Sequence, residues 1–228
     1  MSAIERYLDG TYATTHPSWH AEYSSWKAKQ VMKSLARTGI QPHTVAEVGC
    51  GCGAILTHVS RLLPSAVFDG YDISPQATLL AEEQQVSGVT FHCEDFLQSD
   101  RTFDLVLLMD VVEHIEDCFT FLRSVHRSAK SVIVHFPLDM SAYGVLRGAP
   151  MSARRADGHL HYFSKDTALS TMEECGYDIL DWFYTAKQEF SLGFKSSLSY
   201  LVRRSLYRIA PDFSVLALGC YGLLVAAQ

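Results

Sequence analysis

The sequence predicts an α/β chain built on a doubly wound sheet. From about residue 40, short apolar segments alternate with segments of helical period, the order expected of repeated βα units. Phe103–Met109 (FDLVLLM) is apolar almost throughout, as suits a parallel strand covered on both faces. Between the first strand and helix lies Gly49-Cys50-Gly51-Cys52-Gly53, a glycine turn of the kind that lets a backbone approach a nucleotide-like ligand.

The elements follow in order. Residues 1–43 are polar and aromatic, and Trp26, Val31 and Leu35 predict a helix over about Ser24–Thr38 that Gly39 ends. Thr44–Gly49 reads as a strand and Ala54–Leu63 as a helix stopped by Pro64. Ala66–Tyr71 is a strand, and Pro75–Val86 a helix with proline in its first turn. Val89–His92 and Phe103–Met109 are strands, Cys118–Ser128 a helix and Ser131–Phe136 a strand. Residues 137–163, with three glycines and two prolines, predict an irregular substrate-side insertion; 189–212 predicts a second insertion, in which Leu198, Leu201, Val202, Leu206 and Ile209 fit one helix face. Between them, Ser164–Cys175 is a helix capped by Ser164 and Gly176. Tyr177–Tyr184 and Val215–Val225 are the last two strands. The whole is expected to be one domain, 1–228, with 1–43 as a helical lid.

Composition narrows the class. The chain has 228 residues, 48% hydrophobic and 19% charged, enough for a sizeable core. A net charge of −6 disfavours a nucleic-acid partner. Six cysteines without a CxxC pair suit reduced thiols and a cytoplasmic location. The N-terminal residues lack a signal-peptide pattern, and the run from Val215 to Ala227 is shorter than the ~20 residues of a membrane helix. Lys195, Arg203, Arg204 and Arg208 have no acid between them. That segment is a solvated helix face or, alternatively, a contact for an anionic membrane.

The glycine turn alone does not name its ligand, because Gly49-x-Gly51-x-x-Ala54 also satisfies the dinucleotide pattern. The acids around it discriminate. Glu47 precedes the turn, where its charge would repel a pyrophosphate and attract an ammonium group. Asp72, followed by Ile73, ends the second strand and suits ribose hydroxyls. Asp95 beside Phe96 suits an adenine amino group, and Asp110 ends the fourth strand; taken singly, Asp72 is alternatively a helix cap, Asp95 a turn residue and Asp110 a solvated strand end. Acids at four successive strand ends describe a site for a cationic adenosine compound.

At these residues the chain resembles the class I S-adenosylmethionine-dependent methyltransferases. The matching stretches are Glu47–Gly53, Tyr71–Ser74, Glu94–Phe96, Phe103–Val106, Asp110–Ile115 and Gly158–Ser164, spread over residues 40–185. The resemblance implies a Rossmann-like seven-stranded sheet with the last strand antiparallel and helices on both faces. It implies S-adenosylmethionine as cofactor, held by Glu47, Gly49, Cys50, Gly51, Asp72, Ile73, Asp95, Phe96 and Asp110. Residues 17–28 look like the N-terminal region of a bacterial subgroup of these enzymes.

Methyl transfer is an in-line displacement that asks the protein for position and, with a hydroxyl acceptor, a base. His114, beside Glu113, is the candidate base; its alternative is to bond a loop backbone. Asp110-x-x-Glu113-His114 also resembles a segment of the ubiquinone-pathway O-methyltransferases, where a divalent cation lies near the substrate. Asp110 replaces a longer Glu there, and Glu113-His114 recurs in metal-free relatives, so no metal is assigned. His159, His161 and Tyr162 are expected to line the acceptor pocket or to anchor the loop; His135 is open in the same way. Trp19, His20, Tyr23 and Trp26 are expected to close over the site, Trp26 on the acceptor side, or to be the aromatic face by which a helix packs. The expected activity is methylation of a small molecule, on oxygen rather than nitrogen, with no nucleic-acid partner. An NAD-dependent oxidoreductase and a non-catalytic S-adenosylmethionine-binding module are the alternatives.

Overall fold

The computed structural model describes residues 5–186 and 198–228. Seven strands form one sheet: β1 (Thr44–Val48), β2 (Val67–Asp72), β3 (Val89–Cys93), β4 (Phe103–Met109), β5 (Ala129–Pro137), β6 (Ile179–Ala186) and β7 (Tyr221–Ala227). Their order is β3-β2-β1-β4-β5-β7-β6. β1 to β5 pair in parallel, and β7 runs antiparallel between β5 and β6. This is the doubly wound, seven-stranded sheet with an antiparallel last strand that the sequence led us to expect. The order reverses between β1 and β4, so their carboxyl ends flank a crevice.

Strand alternation divides the core into two layers. On one face Leu105, Leu107 and Met109 of β4 meet α3 (Ser24–Thr38) and α4 (Ala54–Leu62) through Val31, Leu35, Leu56 and Val59. On the other, Val106 and Leu108 meet α6 (Cys118–Ser128) and α9 (Lys165–Glu174) through Leu122, Val125 and Met172. Each such side chain contributes about 1.5–3 kcal/mol by leaving water. Buried on both faces, β4 therefore reads as an unbroken apolar run. The site-side consequence concerns α3. Lys27, Val31 and Leu35 are spaced four apart, on one helical stripe. Burial of Val31 and Leu35 against the sheet carries Lys27 to the strands' carboxyl ends.

The remaining elements refine the sequence reading. Before α3 lie α1 (Glu5–Leu8), α2 (Thr11–Thr15) and a 3-10 turn, Ala21–Tyr23. α5 spans Pro75–Glu82, shorter than expected, with Ser74 accepting from the Ala77 N–H. The insertion 137–163 is not irregular throughout: it holds α7 (Ala142–Leu146) and α8 (Ala149–Ala156). Each is too short for a periodic signal, and each begins at a turn residue, Ser141 or Gly148. The strand expected over Val215–Val225 is corrected. Pro211–Leu218 is helix α11, and β7 starts only at Tyr221, after Gly219 turns the chain at φ 64°. Pro211 sits at the first helical position, where its fixed φ favours a helix. Of the basic segment, Lys195 lies outside the described residues. α10 (Leu198–Ile209) carries the rest, and there Arg203 is buried, donating to the Leu218 carbonyl at 3.2 Å. Among the described residues, no helix is long and apolar enough to cross a membrane.

Candidate active site

The carboxyl ends of β1, β2 and β4 open into a cavity of about 580 Å³, roofed by the N-terminal segment. Its floor is the glycine turn. Gly49 has φ 66°, and a Cβ there would stand 2.8 Å from Val111 Cγ2. Gly53 has φ 70°, and a Cβ there would run into the Phe91 ring. Side chains at these two positions are excluded by backbone conformation and by neighbours at once.

Asp72 ties the turn to β2. Its Oδ2 accepts the Gly51 N–H at 2.8 Å and its Oδ1 accepts the Ser74 N–H at 2.8 Å. Burial raises its pKa, and these amides oppose the rise. Each carboxylate oxygen keeps a second lone pair for a ligand.

Of the expected cofactor residues, Gly49, Cys50, Gly51, Asp72, Ile73, Asp95, Phe96 and Asp110 line the cavity. Glu47 is not in its wall. It is 1% exposed, its carboxyl accepts from the Leu56 backbone N–H, and burial pushes it up to about 8. A β1 side chain at that register points into the α4 layer, which the sequence alone could not show.

Lys27 is the residue that sequence reasoning missed. Its Nζ lies 2.8 Å from Asp110 Oδ2. Burial works against its charge, yet Asp110, Glu47 and Glu113 outweigh burial and raise its pKa. Asp110 also pairs with Nδ1 of the fully buried His135, whose Nε2 lies 2.7 Å from Thr185 Oγ1. A chain of four side chains thus crosses from α3 through β4 and β5 to β6. Asp110 itself has φ 63°, a left-handed conformation that costs a non-glycine residue about 1–3 kcal/mol. The signal for Lys27 was present: a lysine on the apolar stripe of an amphipathic helix.

Glu113 and His114 follow on a 3-10 turn. Glu113 is fully buried and neither of its oxygens has a hydrogen-bond partner. Burial, then the Asp110 charge, raises its pKa well above the carboxylate range. His114 Nδ1 is likewise buried without a partner, while the Gly158 backbone hydrogen-bonds the ring, the loop contact that was its alternative role; burial, followed by His159, lowers this imidazole to about 4. His159 stands edge-on to His114 with ring centroids 5.0 Å apart, held by Asp139 at 2.6 Å. Glu113, His114 and His159 offer ligand atoms within 4.8 Å of one another. Asp110, engaged by Lys27 and His135, is not part of that group. One carboxylate and two imidazoles suit a zinc-like ion better than magnesium.

The acceptor residues divide. Trp26 and His159 line the cavity; His161 and Tyr162 do not. His161 donates from Nε2 to the Ile115 carbonyl at 2.8 Å, and Tyr162 donates to the His159 carbonyl at 3.2 Å. Both anchor the loop, since the backbone amides of 160 and 161 are spent on the Glu113 carbonyl. Trp19, His20 and Tyr23 line the roof, together with Tyr7 and Tyr12. Roof meets insertion where Arg6 donates to the Ala156 carbonyl at 3.1 Å and His16 approaches Asp157 at 3.4 Å.

Residues 20–181 match the family model for the methyltransferase domain. The chain belongs to that family. Among curated relatives of this methyltransferase domain, ajmaline N-methyltransferase of Rauvolfia serpentina is 30% identical over 114 residues, 44% of this chain and 39% of its own length. Ubiquinone biosynthesis O-methyltransferase of Rhizobium etli is 34% identical over 86 residues, 35% of this chain and 34% of its own. The first four curated relatives are matched over only 33 to 39% of their length. Among solved structures, magnesium protoporphyrin IX methyltransferase of Synechocystis PCC 6803 superposes with a TM-score of 0.61 at 17% identity, covering 89% of this chain and 81% of that one. At that identity the likeness concerns the fold of the methyltransferase domain.

Proposed function

We propose that this methyltransferase-domain chain transfers a methyl group from S-adenosylmethionine to an oxygen of a small-molecule acceptor. The carrying observation is a glycine cradle and the acids Asp72, Asp95 and Asp110 facing one cavity, which the neutral imidazole of His114 also lines. The residues fit the cofactor. The cradle at Gly49 has no room for a Cβ, and Asp72 retains acceptor capacity after bonding the turn. The backbone of 49–51 would hold the cofactor's amino-acid end, Asp72 the ribose, and Asp95 with Phe96 the adenine. When bound, S-adenosylmethionine supplies an electrophilic methyl group on a sulfonium. His114 accepts the hydrogen bond of the acceptor hydroxyl and takes its proton. The aromatic roof excludes water from the displacement.

A second reading, an amine acceptor, is favoured by the charge of the wall, where eight acidic side chains besides the buried Glu113 face one lysine. Titration calorimetry with S-adenosylmethionine and with NAD tests the cofactor; binding of NAD alone would overturn the proposal. Mass spectrometry of products from a panel of phenols, alcohols and amines decides between oxygen and nitrogen.

A further inference from the structure

Large apolar side chains stand in water on one group of helices. α7 and its flanks expose Met140, Val145 and Leu146, the last at 87%. α10 and α11 expose Ile209 at 83%, Phe213 and Leu216. α7 packs against α8 and α11, and α11 against α10, so these helices are neighbours. Nine of the sixteen exposed large hydrophobics among the described residues fall on these four helices and their flanks. Apolar residues scattered singly need no explanation, but such a concentration does.

The same helices are basic. Arg147, Arg154, Arg155, Arg204 and Arg208 are all exposed, on a chain whose net charge is −6. The acids nearby have partners. Asp157 faces His16, and Asp212 is held by Tyr184 at 2.6 Å and Lys165 at 3.1 Å. Exposed apolar side chains with arginines around them match the interface of an anionic bilayer, whose headgroups attract the guanidinium groups while the acyl boundary takes the apolar ones. α8 has a second role. Ala153 and Asp157, at its inner side and end, line the cavity, while Met151, Arg154 and Arg155 are exposed.

We infer that α7, α8, α10 and α11 form a docking surface for an anionic lipid bilayer, with the cavity just behind it. The surface stands on the exposures and charges alone. That its occupant sits next to the acceptor end of the cavity rests on the proposed methyl transfer.

Vesicle co-sedimentation of the full chain tests it, with phosphatidylglycerol–phosphatidylcholine vesicles against pure phosphatidylcholine. The chain is expected to bind the anionic vesicles, to release them as salt rises, and to bind the neutral ones weakly. The double variant Arg154→Gln/Arg155→Gln is expected to bind about 30-fold more weakly. Leu146→Gln and Ile209→Gln are expected to weaken binding without changing the salt dependence. Equal binding to both vesicle types, or no binding at low salt, would overturn the inference. So would a concentration-dependent dimer in solution that Leu146→Gln or Ile209→Gln dissociates, which would assign the face to a second copy. Titration of each variant with S-adenosylmethionine reports the cavity separately, so failure of the docking surface and failure of the methyl-transfer reading are told apart.

Discussion

Lys27 Nζ and Asp110 Oδ2, from a helix and from the end of a central strand, meet at 2.8 Å with their side chains only 12% and 20% exposed. The pair joins the N-terminal helix to the floor of the cavity. It is also part of a line that continues to His135 and Thr185. Breaking one member leaves the other charge with little water around it.

Lys27→Met is therefore expected to destabilise the fold by about 3 kcal/mol, because the Asp110 carboxylate loses its cation and keeps the His135 contact in a site with little water. Asp110→Asn alone should also destabilise, and the double variant should recover part of the loss. Denaturant unfolding of the four proteins gives the coupling, expected at about 1–3 kcal/mol. Strict additivity would mean that the pair contributes nothing.

Glu47 predicts a pH dependence of stability. Burial pushes its carboxyl up to about 8, so between the unfolded carboxylate value of about 4.3 and 8 the folded chain holds a proton that the unfolded chain has released. Its contribution is fully present below about 4.3 and is lost as pH rises to 8, with an upper bound of roughly 5 kcal/mol. Glu47→Gln should lose less stability than the parent between pH 5 and pH 8. Asp72 and Glu113 are raised too, so the comparison with the parent, not the absolute slope, isolates Glu47. Parallel curves would show that Glu47 ionises normally in the fold.

Gly53→Ala should be poorly tolerated. The residue has φ 70°, and its Cβ would strike the Phe91 ring and stand 3.0 Å from Ala81 Cβ. Left-handed strain of about 1–2 kcal/mol and overpacking of about 1–3 kcal/mol act together. Thermal unfolding should show the loss, and S-adenosylmethionine titration should show weaker binding. Gly39→Ala, with φ 74° and no atom near its Cβ, should show the strain alone.

His114 bears on the rate. With its imidazole lowered to about 4, it is neutral at pH 7 and should give no inflection near pH 6–7 in kcat. His114→Asn is expected to lower kcat about 10²-fold, with KM little changed, if it takes the acceptor proton. An unchanged kcat with raised KM would reassign it to acceptor binding. A profile breaking near 6.5 that vanishes in the variant would show that burial does not lower it.

Much of this could be read from the chain. The β4 run, the proline start of α5, the Ser164 cap of α9 and the glycine turn are local signals, each complete within a few residues. The acids at strand ends were legible because a parallel sheet sends every strand's carboxyl end to the same side. The errors fell where a signal needed a partner. Val215–Leu218 is apolar in either conformation, and helix formation there depends on Pro211 and on packing against α7 and α10. His161 and Tyr162 were open between pocket and loop, and their hydrogen bonds decide for the loop.

The sequence by itself determined the βα order, the glycine turn and the set of acids, and with them the family. Periodicity, capping and backbone freedom are properties of neighbouring residues, so they survive without coordinates. Only the tertiary structure decided which acids face the cavity, that Lys27 stands among them, and that Glu113 is sealed from water. Those are facts of burial and charge compensation between segments far apart in the chain. They depend on how α3 lies across the sheet, which no local pattern specifies.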